Sequence, residues 1–223
     1  MAIYKGQTKV ANLYKGDTKI EKVYKGTTLL YSSSRLPSAY QEVEYLESSG
    51  TQYIDSGVAP NQDTKVQVRM QKSSTQGSYP KLFGSEIAYL DKSLKVDIRP
   101  VYEIAYGTFA SSTGISCLEN TIYDITFEHN LFTSNNESFS FSTTANVDSG
   151  YNIYIFACNR SGNPLEYSRV KLFNFQIYDN NVLVRNFVPC YRKADNVAGL
   201  YDMINDVFYT NAGTGTFVVG GNV

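Results

Sequence analysis

The 223-residue sequence has no tryptophan, one histidine, three cysteines and six prolines. A single histidine, His129 in Phe127-Glu128-His129-Asn130-Leu131, leaves a Ser–His–acid triad one place to form, and no Gly-x-Ser-x-Gly elbow accompanies it. Zinc, which takes three or four ligands, finds too few of them beside His129 and Glu128. Cys117, Cys158 and Cys190 are odd in number and show no metal-ligand spacing. We therefore expect buried free thiols and folding in a reducing cytoplasm. No apolar run nears the roughly 18 residues of a membrane span, and residues 1–6 lack the hydrophobic core of a signal peptide, so neither feature is expected. Charge is scarce as well. Charged residues make up 18% of the chain, against about 25% in an ordinary globular protein. The formal net charge is −1. A nucleic-acid binder would carry a basic excess, so that partner class is set aside.

What the chain does have is tyrosine and phenylalanine, 19 and 12 of them, which bring aromatics to 14%. A Tyr-rich, charge-poor profile suits half-buried strands better than helices. It excludes a disordered chain, a collagen and a coiled coil. The length suits one large domain with a small appendage and a core that needs no covalent staple.

The appendage announces itself as a ten-residue repeat. Ile3-Tyr4-Lys5-Gly6-Gln7-Thr8-Lys9-Val10 returns from Leu13 and again from Val23, with Tyr-Lys-Gly at 14–16 and 24–26. Gly6, Gly16 and Gly26 read as turns, and segments such as 18–25 read as strands of an antiparallel meander. Residues 1–31 hold six lysines and two acids, a net of +4, which leaves −5 for the rest. So short a sheet cannot bury enough surface alone. We expect it to pack on copies of itself in a homo-oligomer, most simply a trimer, or to dock by charge on its own main domain. Residues 32–37, opening Ser32-Ser33-Ser34, form a linker, and residues 38–223 the main domain.

Beyond residue 41 no amphipathic helix is legible, while strand candidates recur between turn residues. They are 43–46, 52–55, 64–71, 81–83, 94–99, 103–106, 121–128, 138–142, 152–157, 169–178, 182–188, 207–209 and 216–219. In Lys65-Val66-Gln67-Val68-Arg69-Met70 the apolar residues take one face. The stretch 170–178 is longer and more apolar, as a central strand would be, and Asp179-Asn180-Asn181 turns it into a hairpin with Val182-Leu183-Val184. About a dozen strands in this length suit an all-β, two-sheet sandwich of jelly-roll type.

Two stretches carry a family likeness. Residues 36–55, Leu36-Pro37-Ser38-Ala39-Tyr40-Gln41-Glu42-Val43-Glu44-Tyr45-Leu46-Glu47 onward to Tyr53-Ile54-Asp55, resemble the opening of concanavalin A-like, laminin-G-like jelly rolls of phage, prophage and gut-bacterial proteins. Phe187-Val188-Pro189-Cys190-Tyr191-Arg192, Gly199-Leu200-Tyr201-Asp202, Phe208-Tyr209-Thr210-Asn211 and Gly213-Thr214-Gly215-Thr216-Phe217 resemble the close of the same domains. The Tyr-Lys-Gly repeat is similar to modules that precede them in phage tail proteins. The resemblance implies carbohydrate binding or adhesion on a virion.

Candidate residues follow from that chemistry. A sugar site wants aromatic platforms beside planar polar groups, and Arg99, Tyr102 and Tyr106 around Pro100 offer one set. Asn159, Arg160 and Asn163, in the loop after Ala157, offer another, and Tyr79 and Tyr151 lie near Gly- and Ser-rich turns. Each has an ordinary structural alternative, since tyrosine commonly covers a sheet edge. Calcium held by loop oxygens would use Asp202, Asn205 and Asp206, or Asp179-Asn180-Asn181, although the same residues make ordinary turns. Glu42, Glu44 and Glu47 are similar in spacing to the Glu-x-Asp-x-x-Glu motif of laminarinase-like glycosidases. The middle residue differs, the motif falls on an early strand, and no tryptophan lines a subsite; a solvated strand face is the simpler reading. We expect a non-enzymatic, virion-associated tail or fibre protein that folds in the host cytoplasm and binds a bacterial surface polysaccharide. The alternatives are a structural or decoration protein that contacts other virion proteins only and, ranked last, a glycosidase of laminarinase-like type using Glu42, Glu44 and Glu47.

Overall fold

The computed structural model describes residues 4–5, 8–9, 13–20, 22–25, 28–32, 35–74 and 77–223. Each repeat unit forms a separate antiparallel hairpin: β1 (Tyr4–Lys5) with β2 (Thr8–Lys9), β3 (Leu13–Lys15) with β4 (Thr18–Ile20), and β5 (Lys22–Lys25) with β6 (Thr28–Ser32). The single strand expected across 18–25 is thus two strands in two different sheets. Gly16 turns the middle hairpin at φ +61°, a conformation open to glycine at no steric cost. Gly6 and Gly26 lie outside the described residues.

The rest of the chain is strand after strand. First come β7 (Tyr40–Glu42), β8 (Leu46–Glu47), β9 (Ile54–Asp55), β10 (Thr64–Ser74), β11 (Lys81–Glu86), β12 (Ser93–Ile98) and β13 (Val101–Gly107). Then come β14 (Phe109–Ser116), β15 (Ile122–Glu128), β16 (Leu131–Ser134), β17 (Glu137–Ser140), β18 (Tyr154–Ile155), β19 (Cys158–Arg160) and β20 (Asn163–Leu165). The chain closes with β21 (Arg169–Asp179), β22 (Val182–Arg192), β23 (Val197–Asp202), β24 (Val207–Thr210) and β25 (Val218–Val219). They make a β-sandwich of two antiparallel sheets. One runs β17-β16-β15-β10-β21-β22-β23-β24, with β7, β8 and β25 attached at its middle. The other runs β14-β13-β12-β11-β18-β9, with β19 pairing parallel to β11 and hydrogen-bonded to β20. Among the described residues no helix is long and apolar enough to cross a membrane.

Between the sheets lies one apolar core. Val66, Val68 and Met70 of β10 enter it on the face that alternation predicts. On the same face is Lys72, fully buried, whose Nζ donates to the carbonyl oxygens of Arg99 and Cys117 at 3.2 and 3.3 Å. Strand β21 is central, as its apolar run suggests, but its alternation breaks. Arg69 stands opposite Asn174 and Met70 opposite Leu172, so Phe173 is an extra, bulged residue. The bulge lets both Leu172 and Phe175 face the core, while Phe173 packs against Tyr45 at 5.9 Å. The hairpin expected there forms, with Asp179 ending β21 and only Asn180 and Asn181, at φ +47° and +61°, making the turn. Strands β14, β16, β20 and β23 carry no strong strand signal and exist because neighbours complete them.

Candidate functional site

The outer face of the eight-stranded sheet, turned away from the core, is where charge collects. Period-two alternation along β12 sends Leu94, Val96 and Ile98 inward and Ser93, Lys95 and Asp97 outward. On β13 it sends Tyr102, Ile104 and Tyr106 inward and leaves Glu103 outward, directly opposite Asp97. On β11 a bulge between Lys81 and Phe83 resets the phase, so Lys81 also stands opposite Asp97. Gly84 must stay bare there, because a Cβ on it would come within 2.5 Å of the Lys95 Cβ.

These outward groups are paired with one another. Lys81 Nζ lies 2.7 Å from Asp97 Oδ2 and 2.9 Å from Glu166 Oε2. Lys95 Nζ lies 2.6 Å from Glu86 Oε2, which also accepts from Ser93 Oγ at 2.8 Å. The other Glu86 oxygen accepts from Arg160 Nε at 2.9 Å and Nη2 at 2.7 Å. Arg99 Nη2 reaches Glu103 at 2.7 Å and Asp97 at 3.5 Å. Four cations therefore meet four carboxylates and the floor carries no net charge. Over this floor stand Tyr79 and Tyr89, 49% and 72% exposed. The Arg99 guanidinium sits 4.0 Å from the Tyr79 ring centre and Lys95 Nζ 5.0 Å from that of Tyr89. With Leu90, Ala105 and Ala110 they bound a groove of about 270 Å³.

Burial works on these charges in opposite senses. It disfavours the ionised form of Asp97, and Lys81, Lys95 and Arg99 offset this only in part, so the carboxyl titrates above its ordinary range. Burial opposes Glu86 too, but hydrogen bonds and charge from Lys95, then Arg160 and Ser93, outweigh it and hold that carboxyl low.

The structure places the sequence candidates unevenly. Arg99 lines the groove and Arg160 ties its floor. Tyr102 and Tyr106 do not serve as exposed platforms: both rings are 0% exposed, because positions 102, 104 and 106 share the inward face of β13. Tyr106 Oη bonds to Gln62 Oε1 at 2.9 Å and approaches His129 Nδ1 at 3.2 Å. Asn159 and Arg160 belong to β19 rather than to a free loop, and Asn163 begins β20. Asn159 is buried, donating to the Asn152 carbonyl at 2.9 Å and accepting from Gly162 N at 2.8 Å, so it braces a turn. Asn163 is exposed and reaches only carbonyls of its own turn. Tyr89, Lys81, Lys95 and Glu103 escaped notice in the sequence. The clue was the Lys-x-Asp-x-Arg-Pro-x-x-Glu spacing of 95–103, which alternation places on one face.

Elsewhere the candidates are occupied by structural work. Asp202 is buried and accepts from Asn186 N at 2.9 Å, Ile204 N at 3.1 Å and Asn205 Nδ2 at 2.7 Å, while Asp206 receives Tyr201 Oη at 3.4 Å. Among the described residues no three His, Cys, Asp or Glu side chains gather as a metal site. Glu42 pairs with Arg35, Glu44 meets Gly221 N at 3.4 Å, and Glu47 accepts from Ser73 Oγ at 2.5 Å, so the three carboxylates have three separate partners. A larger hollow of about 450 Å³ beside Asp195, Thr210 and Asn211 is lined by turns and the adjoining ends of β23 and β24 and offers no exposed ring. No family model matches the chain, and no curated protein matches it.

Proposed function

We propose that this chain is a non-enzymatic adhesion protein, a tail or fibre component of a phage virion, whose sandwich is a concanavalin A-like jelly roll that binds a bacterial surface glycan in the groove. The observation that carries this reading is the pair of exposed tyrosines over a floor of mutually neutralised charges. A sugar ring presents an apolar C–H face that stacks on an aromatic ring, and hydroxyls that pair with fixed donors and acceptors. Arg99, Glu103 and Lys95 supply such groups without an unpaired charge that a neutral sugar would have to desolvate. The resemblance of residues 36–55 and 187–217 to phage and gut-bacterial jelly rolls supports the same assignment.

The test is binding of the full chain to a panel of bacterial surface polysaccharides, read by calorimetry. Tyr89→Ala should weaken the retained glycan about tenfold, equivalent to ~1.4 kcal/mol, with the thermal unfolding midpoint unchanged. A panel with no binder, from a protein shown to be folded, would sink the reading and favour the decoration-protein alternative. The repeat module belongs to the same proposal: it joins the chain to its own copies, as a trimer, so that weak single sites act together.

A further inference from the structure

We propose that Lys81 and Asp97 condense into an intramolecular amide that staples β11 to β12. The geometry is a three-membered arrangement. Lys81 Nζ lies 2.7 Å from Asp97 Oδ2, and the Glu166 carboxylate lies 2.9 Å from the same nitrogen. The Lys81 and Asp97 side chains are 3% and 8% exposed, so water and its screening are nearly gone from the contact. The β11 bulge places Lys81 opposite Asp97 in the ladder, and both backbones are fixed by strand pairing. The Glu166 backbone is held beside Lys81, whose N donates to its carbonyl at 2.8 Å. Reactants held this way react as though at very high concentration.

The chemistry needs nothing from outside. A proton passing from the Lys81 ammonium to the Asp97 carboxylate gives a neutral amine facing a carboxylic acid. With both side chains almost wholly buried, the neutral pair is less penalised than it would be in solution. The amine lone pair attacks Asp97 Cγ and forms the C–N bond. Glu166 takes the proton that nitrogen must lose and returns it to the departing hydroxyl. The C–O bond breaks, one water leaves, and no oxidant or reductant is consumed. Burial already pushes the Asp97 carboxyl toward its protonated form. The groups that oppose this are Lys81 itself while it carries its proton, then Lys95, and Arg99 3.5 Å from Asp97 Oδ2; the Tyr79 carbonyl, 3.1 Å from Lys81 Nζ, also favours the ammonium. Arg99 has a closer partner in Glu103 at 2.7 Å, and Lys95 in Glu86 at 2.6 Å. The cross-link removes one cation and one carboxylate of the groove floor together, so the floor keeps no net charge, and it would suit any protein whose sheet carries a pulling load.

Intact mass spectrometry of the full chain decides it. The expected mass is lower than the sequence mass by one water molecule, and digestion should yield one branched peptide joining the segments that hold Lys81 and Asp97. Lys81→Arg and Glu166→Ala should each restore the full mass. Asp97→Asn should cross-link with loss of ammonia instead of water. A wild-type chain of full sequence mass, or a water loss mapped to other residues, overturns the proposal. Mass is read on denatured protein, so a variant that folds poorly cannot mimic the wild-type result.

Discussion

Glu86 is a carboxylate with 0% exposure that holds Lys95, Arg160 and Ser93 at once. Its replacement strands the Lys95 ammonium in a dry site. Glu86→Ala should cost about 3–5 kcal/mol in urea unfolding at neutral pH. The pH dependence has a definite sign. The folded carboxyl titrates below its ordinary 4.5, so the unfolded chain binds the extra proton first. The stabilisation is complete above that value and is lost as pH falls through the folded one, so the deficit of the variant should shrink on acidification. Asp97 works in reverse. Its raised folded value means that ionising it costs stability as pH climbs above its ordinary 3.8. Where Asp97 is an amide, that second arm is missing from the profile. The cysteines give a simpler check. All three are free and buried, and burial pushes the thiols up, Cys117 to about 11 and Cys190 to about 12. A thiol reagent should find none in the native protein and three after denaturation without reductant. A count of one would mean a disulfide.

At the scale of elements, close backbone approach sets what cannot change. Gly199 of β23 faces β24 so closely that a Cβ would lie 2.2 Å from the Tyr209 carbonyl oxygen and 2.9 Å from the Phe208 ring. Gly199→Ala should destabilise by about 1–3 kcal/mol, read as a lower denaturation midpoint with unchanged slope. Alternation was legible wherever a strand was regular: Val66, Val68 and Met70 face inward as the sequence says they should. It failed where strands bulge. Nothing in 170–178 marks Phe173 as the extra residue, because a bulge is a property of the pair, made by β10 opposite β21. The same limit hid the groove. The bulge that sets Lys81 against Asp97 depends on β12, and Glu103 joins them only across the β12–β13 ladder. The tyrosines at 102 and 106 misled for a related reason. Their even spacing puts them on one face, and only the opposing sheet decides that this face is the core.

For the whole molecule, two measurements bear on how it works. Light scattering should find the full chain in an oligomer, most simply a trimer, and a chain starting at Ser34 as a monomer. A monomeric full chain would end the proposed role of the repeat. Glycan binding should survive chelation, since the groove floor is built from paired side chains and Asp202 spends its oxygens on N–H donors. Loss of affinity in chelator would return attention to the calcium candidates.

Composition and short-range pattern were enough to determine the class of this protein. Tyrosine-rich alternation with turn residues at short intervals admits little but antiparallel sheets, and the Asn180-Asn181 turn is local chemistry. Which of the two faces of each strand is buried, and where its charges end, was decided only by the packing of the two sheets. Lys81, Lys95 and Glu86 are ordinary surface residues by type. They became a buried network because β11, β12 and β13 set them side by side and the β19–β20 hairpin adds Arg160, and a contact between residues far apart in sequence leaves no mark within a single strand.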